Sequence, residues 1–153
     1  METDGKIIFL DEENTRLGPI TGALFKKKAR AAGLDKYDIA SRGTVVLFPE
    51  PVNQKIVEIG KTYDIDLTSY SAIAIEEKDF GKECLVLSLD SASKKKVYDR
   101  FPSAVNVYTL KEYLGSSGDI KPPLGGTIED YQMVLNIVGG LLDSLIKKLQ
   151  EED

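Results

Sequence analysis

Short apolar runs alternate with amphipathic stretches along this 153-residue chain. Ile7-Ile8-Phe9-Leu10 and Cys84-Leu85-Val86-Leu87-Ser88-Leu89 are strand-length runs with almost no polar interruption, the mark of strands covered on both faces. Residues 37–41, ending at Gly43, and residues 106–110 read as two further strands. Helical signals lie between them. Pro19 suits the first turn of a helix running to Ala32 and stopped by Gly33. Asn53 can cap a second helix through Lys61, with Ile56 and either Ile59 or Val57 inward. Asp90 or Ser91 caps a third, which ends before Pro102. Residues 71–75 fit a loop or a short helix.

The last helix carries the clearest periodicity. Thr127 is placed to cap it, with Glu129 and Asp130 in the positive first turn. Ile128, Tyr131, Val134, Val138, Leu141, Leu145 and Leu149 recur at spacings of three and four, which predicts an inward stripe. Lys147 and Lys148 would complement the negative end. Gly139 and Gly140 each cost about 1 kcal/mol inside a helix. Close approach of helix to sheet is the expected reason for them.

Four strands alternating with helices predict an α/β fold: a three-layer α/β/α domain, Rossmann- or flavodoxin-like, around a four-stranded parallel sheet with right-handed crossovers. Residues 1–153 make one domain, since a single core organises that length. Such folds bind ligands at the carboxyl ends of their strands. That directs attention to the segments after Leu10, Gly43 and Leu89, and to the long loop over residues 115–126.

Composition changes the picture mainly through what it removes. There is no histidine, so Ser-His-Asp and Cys-His activation are excluded and a metal site would be built from oxygen ligands. The one cysteine, Cys84, excludes an internal disulfide and fits a reducing compartment; a cytoplasmic protein is expected. It begins a buried strand and reads as a small core residue. A formal net charge of −5 argues against a general nucleic-acid binder. The runs Lys26-Lys27-Lys28 and Lys94-Lys95-Lys96 read as solvated helix surface. No apolar run reaches the length of a membrane span, and no secretory leader is visible. The seven tyrosines share no spacing and are assigned to packing and surface, and the acidic end Glu151-Glu152-Asp153 to a solvated terminus.

In order and spacing the chain resembles the low-molecular-weight protein-tyrosine phosphatases. Those enzymes open with an apolar strand and a C-x-x-x-x-C-R-S-P loop leading into the first helix. Here Phe9-Leu10-Asp11-Glu12-Glu13-Asn14-Thr15-Arg16-Leu17-Gly18-Pro19 fits that frame without a gap and keeps Asn14 and Pro19. Residues 25–34 are similar to the family's first helix. Ser41-Arg42-Gly43-Thr44 resembles its Ser-Ala-Gly-Thr, and Tyr63-Asp64-Ile65-Asp66-Leu67-Thr68 its His-Gly-Ile-Asp-Leu-Ser. Residues 76–80 resemble Thr-Glu-Glu-Asp-Phe, and Leu87-Ser88-Leu89-Asp90 a strand ending in Met-Asp. Pro123-Leu124-Gly125-Gly126 with Glu129-Asp130-Tyr131 resembles the D-P-[FY]-G-G loop and the Glu-Asp-Phe of the last helix.

The departures from that pattern fall where the family's chemistry sits. Its nucleophilic cysteine falls on Asp11, its second cysteine on Arg16, and its phosphate-gripping arginine on Leu17. The serine supporting the thiolate falls on Gly18, and the general-acid aspartate on Pro122. A carboxylate can exploit a helix N-terminus as a thiolate does, but it is a weaker nucleophile. Leu17 cannot neutralise phosphate and Pro122 cannot protonate a leaving group. Asp11, Glu12 and Glu13 also reverse the sign of the loop, with Arg16 as the local cation able to pair with Asp11. Unit charges 4 Å apart interact by about 4 kcal/mol at an effective dielectric near 20.

The resemblance therefore implies the fold without the activity: a pseudophosphatase acting as a binding or regulatory module for an unidentified protein partner, with no cofactor, no nucleic acid and no membrane. Its binding residues would be Glu12, Glu13, Asn14, Thr15, Arg16 and Gly18, around a pocket either closed or accepting a cation. The alternative is a phosphatase with Mg²⁺-dependent aspartate chemistry at Asp11, with Glu13 as second ligand. The D-x-D-x-T start of the haloacid-dehalogenase phosphatases also resembles Asp11-Glu12-Glu13-Asn14-Thr15, with Glu13 in place of the second Asp. Asp11, Glu12, Asp90 and Lys121 superficially suggest a phosphoacceptor receiver, but Asp11 and Asp90 lie too far apart in sequence.

Overall fold

The computed structural model describes residues 5–123 and 125–152. The elements follow as β1 (Lys6–Asp11), α1 (Leu17–Ala31), β2 (Asp38–Gly43), α2 (Gln54–Thr62), β3 (Cys84–Ser88), α3 (Ser91–Arg100), β4 (Val107–Thr109), α4 (Leu110–Tyr113) and α5 (Ile128–Glu152). All strand pairs are parallel, in the order β2-β1-β3-β4. The predicted three-layer sheet architecture is the one observed. Residues 71–75 are a loop rather than a short helix. Single bridges tie Gly43 to Ala74 and Pro51 to Ser71.

Period-two alternation sends the two sets of strand side chains to opposite faces. Ile7, Phe9, Leu85 and Leu87 join the core beneath α1, α2 and α5. Ile8, Leu10, Cys84, Val86 and Val107 join a second core containing Val97 of α3. Cys84 is thus the core residue expected of it. Asn53 caps α2 by accepting the Lys55 amide at 3.0 Å, and Asp90 caps α3 by accepting that of Ser93 at 2.7 Å. Thr127 and Asp130 exchange side-chain-to-amide bonds at 3.1 and 3.2 Å, a capping box ahead of α5. The fourth strand is shorter than its apolar pattern. Thr109 turns the chain into α4 through a capping box with Glu112, a pairing the reading of residues 106–110 as strand overlooked.

The stripe on α5 is rotated from the predicted one. Leu135, Leu142 and Ile146 join Tyr131, Val138, Leu145 and Leu149 in the core, whereas Ile128 is exposed and Val134 and Leu141 are half-buried. A three-four pattern admits two neighbouring phases when apolar residues are this dense. Gly139 and Gly140 are not there for close packing: a Cβ at either would meet nothing within 4 Å. They instead line a surface groove between α1 and α5. Lys147 and Lys148 are not in the last turn, because the helix runs on to Glu152. Lys148 pairs with Glu152 at 3.9 Å and lies over the Tyr113 ring. The lysine runs lie on helix surface as expected, and several of their members make surface ion pairs. Lys28 meets Asp143 at 2.8 Å, and Lys94, Lys95 and Lys96 meet Glu112, Asp99 and Glu12. No helix among the described residues is long and apolar enough to cross a membrane.

Candidate functional site

The strand order makes β1 and β3 the pair at which the sheet reverses direction of growth, so their carboxyl ends flank a natural crevice. A cavity of about 400 Å³ lies there. The loop after β1 contributes Asp11, Glu12, Glu13, Thr15, Arg16 and Leu17; the turn after β3 contributes Leu89, Asp90 and Ala92. Ile120, Lys121, Pro122, Pro123 and Gly125 of the long loop close the far side. The Leu124 position of that loop's motif lies outside the described residues.

Asp11 forms the floor. Its two carboxylate oxygens accept the Asn14 amide at 2.9 Å and the Gly18 amide at 2.8 Å. Gly18 is in the first turn of α1, so the carboxylate satisfies a helix N-terminus that Arg16, at the cap position, leaves without a side-chain acceptor. Burial pushes the Asp11 carboxyl up to about 6. The amides of Gly18 and Asn14 pull the other way, and the carboxylates of Asp90 and Glu13 add to the rise. A pairing of Asp11 with Arg16 does not form: Arg16 is exposed, and the amides take its place.

The loop's shape rests on Asn14, which is fully buried with φ +59°. Asn tolerates the left-handed region better than other non-glycine residues. Its side-chain amide donates to Tyr70 Oη at 2.8 Å, and the Tyr70 hydroxyl meets Ser41 Oγ at 2.6 Å on β2. Backbone bonds from Thr44 to Asp11, Val45 to Glu12 and Asn53 to Thr15 clamp the outer side. Gly43 is required by this clamp, since a Cβ there would come within 2.8 Å of the Glu12 carbonyl oxygen.

Glu12, Glu13, Thr15 and Arg16 therefore line the cavity, whereas Asn14 supports the loop from behind and Gly18 holds Asp11. Glu12 is paired with Lys96 at 3.5 Å. Leu17 touches both cavity and core, and Pro122 sits on the opposite wall. Asp11 and Glu13 share the cavity, but no group of three or more acidic or thiol side chains is placed to hold a metal ion among the described residues.

Two groups escaped sequence reasoning. Tyr70 is a loop support rather than packing, and its partners lie 29 and 56 residues away, beyond any local signal. Asp119 accepts the Ser91 amide at 2.9 Å and its hydroxyl at 3.2 Å, fastening the long loop to α3. The Ile120 amide adds a bond to the Leu89 carbonyl at 2.8 Å.

Residues 6–153 match the family described as low molecular weight phosphotyrosine protein phosphatase. The chain belongs to that family. Among its low-molecular-weight phosphatase relatives, a protein-arginine-phosphatase of Bacillus subtilis is 32% identical over 148 residues, covering 95% of this chain and 97% of that protein. A low-molecular-weight protein-tyrosine-phosphatase PtpB of Staphylococcus epidermidis is 27% identical over 141 residues, covering 92% and 96%. The crystal structure of a YwlE mutant from B. subtilis superposes with a TM-score of 0.89 at 30% identity, over 95% of this chain and 99% of that one. These matches set aside the haloacid-dehalogenase resemblance of the first loop. It rested on three residue types rather than on topology.

Proposed function

We propose that this chain is a non-catalytic member of the low-molecular-weight phosphatase family, working as a binding or regulatory module. The observation that carries the reading is the seat of Asp11. Its carboxylate accepts the two amides, Asn14 and Gly18, that point into the loop at the start of α1. N–H groups converging at a helix N-terminus are an anion site. Here the protein's own side chain takes it.

The remaining chemistry is equally short of parts. Cys84 pairs in register with Lys6, at the opposite end of β1 from Asp11. Five residue steps along the strand separate those levels, roughly 16 Å. Burial pushes that thiol to about 11, which keeps it protonated at neutral pH. Leu17 offers no positive charge and Pro122 no proton. Missing charge stabilisation and missing acid catalysis each cost on the order of 10² or more in rate. The relatives are named as tyrosine and arginine phosphatases; this loop has lost the groups such hydrolysis would use.

Hydrolysis of p-nitrophenyl phosphate, a phosphotyrosyl peptide and a phosphoarginyl peptide tests the reading, with and without Mg²⁺. No turnover above buffer is expected, and vanadate should leave the melting temperature unchanged. Mg²⁺-dependent turnover that Asp11→Asn abolishes would overturn the reading in favour of aspartate chemistry with Glu13 as the second ligand.

A further inference from the structure

We infer that the cavity and the apolar loop beside it form one surface that docks an extended polypeptide segment, with an arginine or lysine of that segment inserted into the cavity. The inference rests on the non-catalytic reading, because it needs the anion seat to be filled by Asp11.

The loop after β2 is the independent observation. Leu47 is 87% exposed and Phe48 61%, with Val45 partly exposed next to them. Adjacent large apolar side chains at a loop tip mark an interaction surface more than a packing accident. The loop is held in place by backbone bonds from Val45 to Glu12 and from Glu50 to Phe48. A second depression of about 210 Å³ runs along it, lined by Glu13, Val45, Val46, Leu47, Phe48 and Glu50. Glu13 lines both hollows, so the two adjoin at that side chain.

Charge decides what kind of segment fits. Asp11, Glu12, Glu13 and Asp90 face the cavity against Arg16 and Lys121. Lys121 lies 3.9 Å from Asp119, and Lys96 meets Glu12, while Glu13 has no ion-pair partner among the described residues. Anions are therefore disfavoured. A long side chain with an aliphatic stem and a cationic head matches the rest: the stem lies along Ala92, Pro122 and Pro123, and the head reaches Glu13. Apolar neighbours on the same segment then cover Leu47 and Phe48.

The test titrates the ¹⁵N-labelled full chain with a capped peptide, Ala-Phe-Ala-Arg-Ala-Phe-Ala, and with its citrulline counterpart, which keeps the shape and removes the charge. Amides of residues 12–17, 45–48 and 120–121 should move together, and the citrulline peptide should bind at least tenfold more weakly. Glu13→Gln and Leu47→Ser should each weaken the arginine peptide at least threefold while the folded spectrum is retained. Equal affinity for the two peptides, or shifts confined to other residues, would sink the proposal. So would free arginine amide binding as tightly as the peptide, which assigns the cavity to small cations. The same shifts on concentrating the protein alone would assign the surface to a second copy of the chain. Hydrolysis of phosphopeptides overturns the non-catalytic reading instead, so the two failures are distinguishable.

Discussion

Gly18 and Asp11 fit only as a pair. The Gly18 amide donates to the Asp11 carboxylate at 2.8 Å, and a Cβ at position 18 would lie 2.7 to 2.9 Å from that carboxylate. The family pattern has a cysteine at the first position and a serine at the second. A carboxylate reaches further than a thiol, and the serine must vanish to admit it. On the proposed resemblance, the two departures would be one change in packing.

A double-mutant cycle measures that pairing. Gly18→Ala should cost about 1–3 kcal/mol by overpacking against Asp11. In the Asp11→Ala background the same substitution should be neutral or stabilise by up to about 1 kcal/mol, because alanine is the better helix former. The coupling read from urea unfolding should exceed about 1 kcal/mol. Additive effects would mean that the loop opens to accommodate the new methyl group.

The raised Asp11 carboxyl makes a stability prediction with a definite sign. Its folded value near 6 lies above the ordinary 3.8, so the folded state holds the proton longer. Its contribution is complete below about pH 4 and is lost as pH rises to about 6, a change of at most about 3 kcal/mol. Glu112, held below the ordinary range by Lys94, works in the opposite direction. The observable is therefore the stability difference between the wild type and Asp11→Asn. It should fall for the wild type across pH 4–6 and stay level above pH 7. A difference that is flat over the whole range would place Asp11 in a well-hydrated setting.

Much of this was legible in the sequence because it is local. The apolar runs of β1 and β3 set the sheet, and Asn53, Asp90 and Thr127 mark helix starts by chemistry that acts over two or three residues. The loop at residues 11–18 announced itself by its place after β1. What stayed hidden is long-range: the Asn14–Tyr70–Ser41 relay, the grip of Asp119 on Ser91, and the choice of amides over Arg16 as partners for Asp11. The phase of α5 was missed for another reason. Leu141 and Leu142 are both leucine, and only contact with the rest of the core decides which of them turns inward.

Tyr70 offers a check on the relay. Tyr70→Phe removes the hydroxyl that accepts from Asn14 and meets Ser41, and leaves a buried amide short of a partner. A loss of about 1–3 kcal/mol is expected. Amide exchange in residues 12–17 should accelerate more than exchange in α5, since the relay holds the loop rather than the core. Uniform acceleration would make Tyr70 an ordinary packing residue.

Rebuilding the family pattern tests the proposal that the chain is non-catalytic because Asp11, Leu17, Gly18 and Pro122 stand where they do. Asp11→Cys alone supplies a thiol at the floor but neither a cation nor an acid, and it should not hydrolyse p-nitrophenyl phosphate. Leu17→Arg alone should destabilise, since Leu17 is almost wholly buried among apolar neighbours; an unpaired charge there costs several kcal/mol. Vanadate should recover part of that loss only when Asp11 is also replaced, because the carboxylate otherwise occupies the amides the anion needs. Combining Asp11→Cys, Leu17→Arg, Gly18→Ser and Pro122→Asp should then raise turnover by about 10² or more over any single variant, since groups that act as a unit contribute non-additively. If Asp11→Cys alone reached the rate of the combined variant, Leu17 and Pro122 would be cleared, and the proposed lack of activity would rest on the nucleophile by itself.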